Sequence, residues 1–189
     1  MNKNIRKVII GNLKMNGSLS FYEGYLNALK VGLCDINNVD IGLCVPYPFL
    51  AQAQSILNGS NILWGSQNVA KFENGPHTGE VSATMLIDFG IQYVIVGHSE
   101  RGTAYCESNE NIADKFNVIK KYNMTPVLCV GESLIEREAG IMEKVVASQI
   151  ETIIECYGVE IFSDSIIAYE PIWAIGTDMA ASPEQTNQM

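Results

Sequence analysis

Apolar runs without alternation recur along the chain at roughly thirty-residue intervals, each followed by a stretch whose hydrophobic residues have helical spacing. A strand buried on both faces reads as such a run, and strands of this kind belong to parallel sheets covered by helices. The chain is therefore built from βα units. Strands are predicted over residues 8–12, 41–45, 62–66, 93–96, 125–130 and 166–169. Ser18 caps a helix running to Lys30, with Phe21, Tyr25, Leu26 and Leu29 on its apolar face. Further helices are expected over 48–57, from the Ser82 cap to 89–90, over 108–122 with Ile112, Phe116 and Ile119 inward, and over 134–157 in two parts divided at Gly140. Residues 67–80 form a long polar loop, which inside a compact domain is usually functional or disordered.

Composition narrows the class. With 189 residues, of which 47% are hydrophobic, the chain can bury the core of one globular domain spanning 1–189. A net charge of −9 argues against a nucleic-acid or anionic-membrane partner, since either would want a basic field. No apolar run reaches bilayer length, and the first ten residues are too briefly apolar for a signal peptide, so a soluble, cytoplasmic chain is expected. Five scattered cysteines without a CxxC pair, and only two histidines, indicate neither a disulfide framework nor a metal site. No cofactor is implied.

Polar residues and glycines gather after the strands: Asn12 and Lys14, Pro46, Gln67 and Asn68, His98 and Glu100, Gly131 and Glu132, and Glu170. In a parallel α/β architecture these positions share the carboxyl edge, where sites are built. Glu170 is the sharpest of them. Pro171 holds it in extended backbone at the end of the last strand, and the small, mostly apolar segment after it reads as a candidate lid. A structural carboxylate is the ordinary reading of a strand-end acid, as a satisfied core residue is of a lone histidine and a solvated one of a lysine. The lid after Glu170 and the polar Ser-Glu-Arg run after His98 favour chemistry for both. Lys14 supplies local positive charge that the acidic chain otherwise lacks.

Three segments in order, Gly11-Asn12-Leu13-Lys14-Met15-Asn16, Val96-Gly97-His98-Ser99-Glu100-Arg101 and Tyr169-Glu170-Pro171-Ile172-Trp173-Ala174-Ile175-Gly176-Thr177, resemble the motifs of the triosephosphate isomerase family. Cys129-Val130-Gly131-Glu132-Ser133 and residues 75–82 resemble two more. The resemblance implies a TIM (β/α)8 barrel, here incomplete with about six βα units present, and interconversion of dihydroxyacetone phosphate with glyceraldehyde 3-phosphate. It implies Glu170 as base, His98 as neutral electrophile and Lys14 as the cation facing phosphate and enediolate, with Asn12 and Gly176 binding substrate. Glu100 is implied as the partner that holds Lys14, and Cys129 as a packing neighbour of the base. Glu107, Glu132 and Arg137 read as members of structural ion pairs. The loop around Thr78 resembles one that inserts into a neighbouring subunit, so a homodimer is implied.

The chain departs from the family pattern at several places. Leu13 stands where tryptophan is usual, and Gly102 where a second arginine is common, which removes an ion pair. Asp178, Met179 and Ala180 alter the lid's far hinge, and with it lid kinetics. Ser182-Pro183-Glu184-Gln185 is a strong helix start four residues before the last residue, too short to be stable alone, so the natural chain is expected to continue. The family's seventh and eighth βα units are not represented, and the 189 residues alone are expected to be poorly active. The alternative is a non-catalytic fragment that folds with a complementary piece or serves as an interaction module. Another phosphate-handling barrel enzyme is disfavoured, because Lys14, His98 and Glu170 all match one family.

Overall fold

A computed structural model describes residues 6–176 and 180–189. The described residues form two compact units, 6–95 with 122–124, and 96–121 with 125–176 and 180–189.

The first unit begins with β1 (Lys7–Asn12), α1 (Leu19–Gly32), β2 (Val39–Val45), α2 (Leu50–Leu57) and β3 (Ile62–Ser66). α3 (Ala83–Ile87) follows, then β4 (Tyr93–Val96), whose last residue already belongs to the second unit. β1, β2 and β3 pair in parallel, with Ile9 opposite Ile41 and Leu43 opposite Trp64, and β4 adds to β3 through Gly65 and Tyr93. Ser18 caps α1 as expected, its side chain accepting from the Phe21 N–H. The buried face of α1 is Tyr22 and Leu26 rather than the face centred on Phe21. Tyr22 stacks on Phe49 at 4.1 Å between ring centroids, while Phe21 lies at the rim against Tyr25. Leu50, Ala53 and Leu57 of α2 complete that helix pair, spaced at the three and four residues that one helical face requires. Gly65 is obligatory, because a Cβ there would lie 2.4 Å from the Tyr93 carbonyl oxygen.

The second unit contains α4 (Ser99–Tyr105), α5 (Asn109–Lys121), β5 (Thr125–Val130), α6 (Leu134–Glu138), α7 (Met142–Tyr157), β6 (Ile166–Tyr169) and α8 (Pro183–Asn187). β5 and β6 are parallel, with Val127 opposite Ile166 and Val130 opposite Tyr169. Phe116, Ile119, Leu128 and Ile153 fill its core. The break between α6 and α7 falls at Gly140, whose φ of 69° is left-handed. α8 starts with the full capping box expected of Ser182 and Gln185. α4 was not expected. It is a seven-residue helix with no buried residue, so it has no apolar stripe for periodicity to find.

Among the described residues no helix is long and apolar enough to cross a membrane. Nor does any group of three or more His, Cys, Asp or Glu among them form a metal cluster.

Candidate active site

In the second unit, β4 ends at Val96 and the chain turns through Gly97 with φ of 75°. A Cβ at Gly97 would meet the Cys129 carbonyl oxygen at 3.0 Å, so only glycine lets the turn pass so near β5. His98 follows, with 7% of its side chain exposed, and occupies the N-cap of α4. Its Nδ1 accepts from the Glu100 N–H at 3.3 Å. A ring nitrogen that accepts carries no proton, which leaves Nε2 as the ring's donor. That Nε2 faces Glu170 Oε1 at 3.4 Å.

Glu170 directly follows β6. Its N–H donates to the Val130 carbonyl at 2.7 Å, extending the ladder by one residue before Pro171 ends it. Oε1 also accepts from Cys129 Sγ at 3.3 Å. Oε2 is buried and has no hydrogen-bond partner among the described residues. Buried polar atoms are nearly always paired, and Glu107 and Glu132 each leave one carboxylate oxygen in the same state. A cavity of about 320 Å³ borders this corner, lined by Gly97, Ser99, Cys129, Gly131, Gln149 and Glu170 among others.

Beyond Glu170 lies a buried cluster that the sequence indicated only as one ion pair. Glu132 is fully buried, and its Oε1 accepts from Arg137 Nη1 at 2.9 Å, Tyr169 Oη at 3.0 Å and Trp173 Nε1 at 3.0 Å. Burial opposes its ionisation. The hydrogen bonds from Trp173, Arg137, its own backbone and Tyr169 outweigh that and hold its carboxyl below the usual range. Trp173 belongs to a short 3₁₀ turn, Ile172–Ala174, in the candidate lid. The Ile172 N–H donates to the Glu132 carbonyl at 3.1 Å, so the near end of that segment is tied to the start of α6 twice. Gly176, at φ of 68°, ends the near side. Asp178 and Met179 of the far hinge lie outside the described residues. Glu107, expected in an ion pair, receives Arg101 Nε at 3.2 Å and Lys115 Nζ.

In the first unit, Asn12 ends β1 and its Oδ1 accepts from the Lys14 N–H at 2.9 Å. Lys14 has φ of 51°, the left-handed region that a residue with a side chain seldom adopts. Gln67 Nε2 donates to the Lys14 carbonyl at 2.9 Å and to the Cys44 carbonyl at 3.1 Å, holding the strained residue from its other end. The loop carrying Thr78 is ordered by its own contacts. The Ala70 N–H donates to the Val81 carbonyl at 2.8 Å, and Phe72 stacks on His77 at 3.8 Å between centroids.

The structure thus brings together His98, Glu100, Cys129 and Glu170 within one unit, and Asn12 with Lys14 in the other. Gln67 and Gln149 clamp the backbone beside these residues. Sequence reading gave neither a role, since an uncharged amide after a strand or inside a helix carries no pattern of its own.

Parallel βα units in unbroken succession, with polar residues at the strand ends, define an enzyme of the α/β barrel class, here with six of the eight units. The model of the triosephosphate isomerase family matches residues 7–189. The triosephosphate isomerase of Nitrosomonas europaea is 48% identical over 181 residues, 96% of this chain and 72% of the relative. That of Thiobacillus denitrificans is 49% identical over 180 residues, 95% and 71% of the two chains, and that of Histophilus somni 46% identical over 180 residues. The chain belongs to the triosephosphate isomerase family.

Proposed function

We propose that this chain interconverts dihydroxyacetone phosphate and glyceraldehyde 3-phosphate by proton transfer through an enediolate. The contact that carries the reading is Glu170 Oε1 against both His98 Nε2 and Cys129 Sγ, with Oε2 left unpaired among the described residues. Glu170 takes a proton from the carbon beside the substrate carbonyl and returns it to the neighbouring carbon, which one carboxylate can do because the two carbons are adjacent. His98 donates from Nε2 to the substrate oxygens. A glutamate base beside a neutral histidine is the known pattern of triosephosphate isomerase itself. Lys14 balances the charge of phosphate and enediolate, and Asn12 and the Gly176 N–H bind substrate. The 189 residues belong to one TIM-barrel domain, C-terminally incomplete, in the cytoplasm, and the Thr78 loop reaches into a second copy to make a homodimer.

The test is turnover. Glu170→Gln should abolish isomerisation while leaving binding of an unreactive phosphate analogue largely intact. Undiminished turnover in that variant would remove Glu170 as the base.

A second reading has its own observation. On the outer strands, Ile9 is 62% and Ile167 48% exposed, more than buried parallel strands normally allow. This favours a chain that is silent alone and gains activity when a complementary piece covers β1 and β6. Adding the C-terminal quarter of a relative as a separate polypeptide distinguishes the two, since a self-sufficient chain gains nothing from it.

A further inference from the structure

We infer that Gln149, on α7, is a positioning residue for the base and acts through the backbone of Gly131. Its Oε1 accepts from the Gly131 N–H at 3.0 Å, and its Nε2 donates to the Gly131 carbonyl at 3.0 Å. One carboxamide thus satisfies both polar groups of a buried residue that has just left β5, as a neighbouring strand would. Gly131 needs that hold because of what lies on its other side. A Cβ at Gly131 would sit 1.8 Å from the Glu170 carbonyl oxygen and 2.8 Å from its carbonyl carbon. The backbones of residues 131 and 170 are therefore pressed together, and the Glu170 N–H to Val130 carbonyl bond fixes the same contact one residue earlier.

The seat of Glu170 is thus a peptide, and the only side chain bonded to both ends of that seat among the described residues is Gln149. Without the carboxamide, Gly131 keeps two buried polar groups that water or a shifted backbone must satisfy. Either change moves the main chain beneath Glu170, and with it the 3.4 Å approach of Oε1 to His98 and the 3.3 Å approach to Cys129. Gln149 also borders the cavity beside Glu170, so water has space to enter where the amide is removed.

The proposal rests on Glu170 being the base, but it can be read without turnover. The probe is nuclear magnetic resonance titration of the Glu170 side-chain carboxyl carbon and the His98 ring nitrogens, in the wild-type chain and in Gln149→Met, which keeps length and loses both hydrogen bonds. The Glu170 midpoint should move by about half a pH unit or more, with the His98 Nε2 resonance following it. Exchange of the Gly131 amide hydrogen should quicken at least tenfold while α7 amides keep their protection. Where isomerisation is measurable, kcat should fall about tenfold or more with KM nearly unchanged, as expected of a base displaced without loss of substrate contacts. Should Gln149→Met not fold, Gln149→Asn, which is too short to bridge both groups, is read by the same signals. Titrations of Glu170 and His98 that superimpose on wild type in a folded variant would overturn the proposal. Failure of the functional reading looks different: Glu170→Gln would then retain turnover, whatever Gln149→Met does to the titration.

Discussion

Glu170 has one carboxylate oxygen shared between a thiol and an imidazole and the other buried without a partner among the described residues, and that asymmetry comes from a backbone that leaves it almost no freedom. Gly131 shows how little. Gly131→Ala should destabilise the chain by about 3 kcal/mol or more, because the added methyl meets backbone and not a movable side chain. Urea denaturation of the two proteins measures it, and a loss within experimental error would mean the two backbones are not pressed together. Glu132 gives a second prediction. Its carboxyl is held below the usual range in the folded state, so between its folded and unfolded values the unfolded chain binds more protons. The stabilisation is full above the ordinary glutamate value of about 4.3 and is lost as pH falls through the depressed one. Thermal melts from pH 6 downward should therefore lose stability in acid, and Glu132→Gln should lose less across that range. The strand-end acid, histidine and lysine could all be read from the sequence, because each follows an apolar run directly. Of the partners of Glu132, Arg137 could be read only as a member of an ion pair, and Tyr169 and Trp173 could not be read at all. Arg137, Tyr169 and Trp173 come from three places in the chain, and only the β5–β6 register brings them to one oxygen.

Helices and strands were recoverable where their pattern was periodic. α1, α5 and α7 have apolar residues at helical spacing, and the strands are unbroken hydrophobic runs. α4 lies between the histidine and Glu107 with glycine in its middle and no inward face, so nothing in its composition distinguishes it from loop. What makes it a helix is tertiary: the imidazole caps its start, and Cys106 in left-handed backbone ends it. His98→Ala should therefore do two things at once, removing the proposed electrophile and fraying α4. Amide exchange over residues 99–105 would show the second effect as lost protection, and unchanged exchange there would limit His98 to chemistry. α6 is held differently, by a capping box in which Ser133 accepts from the Glu136 N–H and the Glu136 side chain accepts from the Ser133 N–H. Ser133→Ala should cost about 1 kcal/mol of stability in chemical denaturation. Because α6 carries Arg137, the same variant should loosen the pairing of Glu132 with Trp173 of the candidate lid.

Across the whole molecule, the thiols report whether both units are formed. Cys34, Cys106 and Cys156 are exposed, whereas Cys44 and Cys129 are buried. Burial pushes the Cys44 thiol up to about 12, so it is neither accessible nor ionised near neutral pH. Maleimide labelling of the native chain at pH 7, read by mass spectrometry, should give three fast modifications, and all five after unfolding in urea. Rapid labelling of Cys44 would mean that the first unit is not packed as described, and of Cys129 that Glu170 has lost its neighbour. Family membership extends over residues 7–189, and the parallel strands of each unit carry the candidate residues at their carboxyl ends. The reaction itself remains the decisive quantity. The most direct measurement is isomerisation of glyceraldehyde 3-phosphate in deuterated water by the chain, by Glu170→Gln and by His98→Gln. Deuterium at the substrate carbon next to the carbonyl, formed by the wild-type chain and lost in Glu170→Gln, is the expected result. Equal deuterium incorporation by Glu170→Gln and the wild-type chain would contradict the assignment of Glu170 as the group that moves the proton.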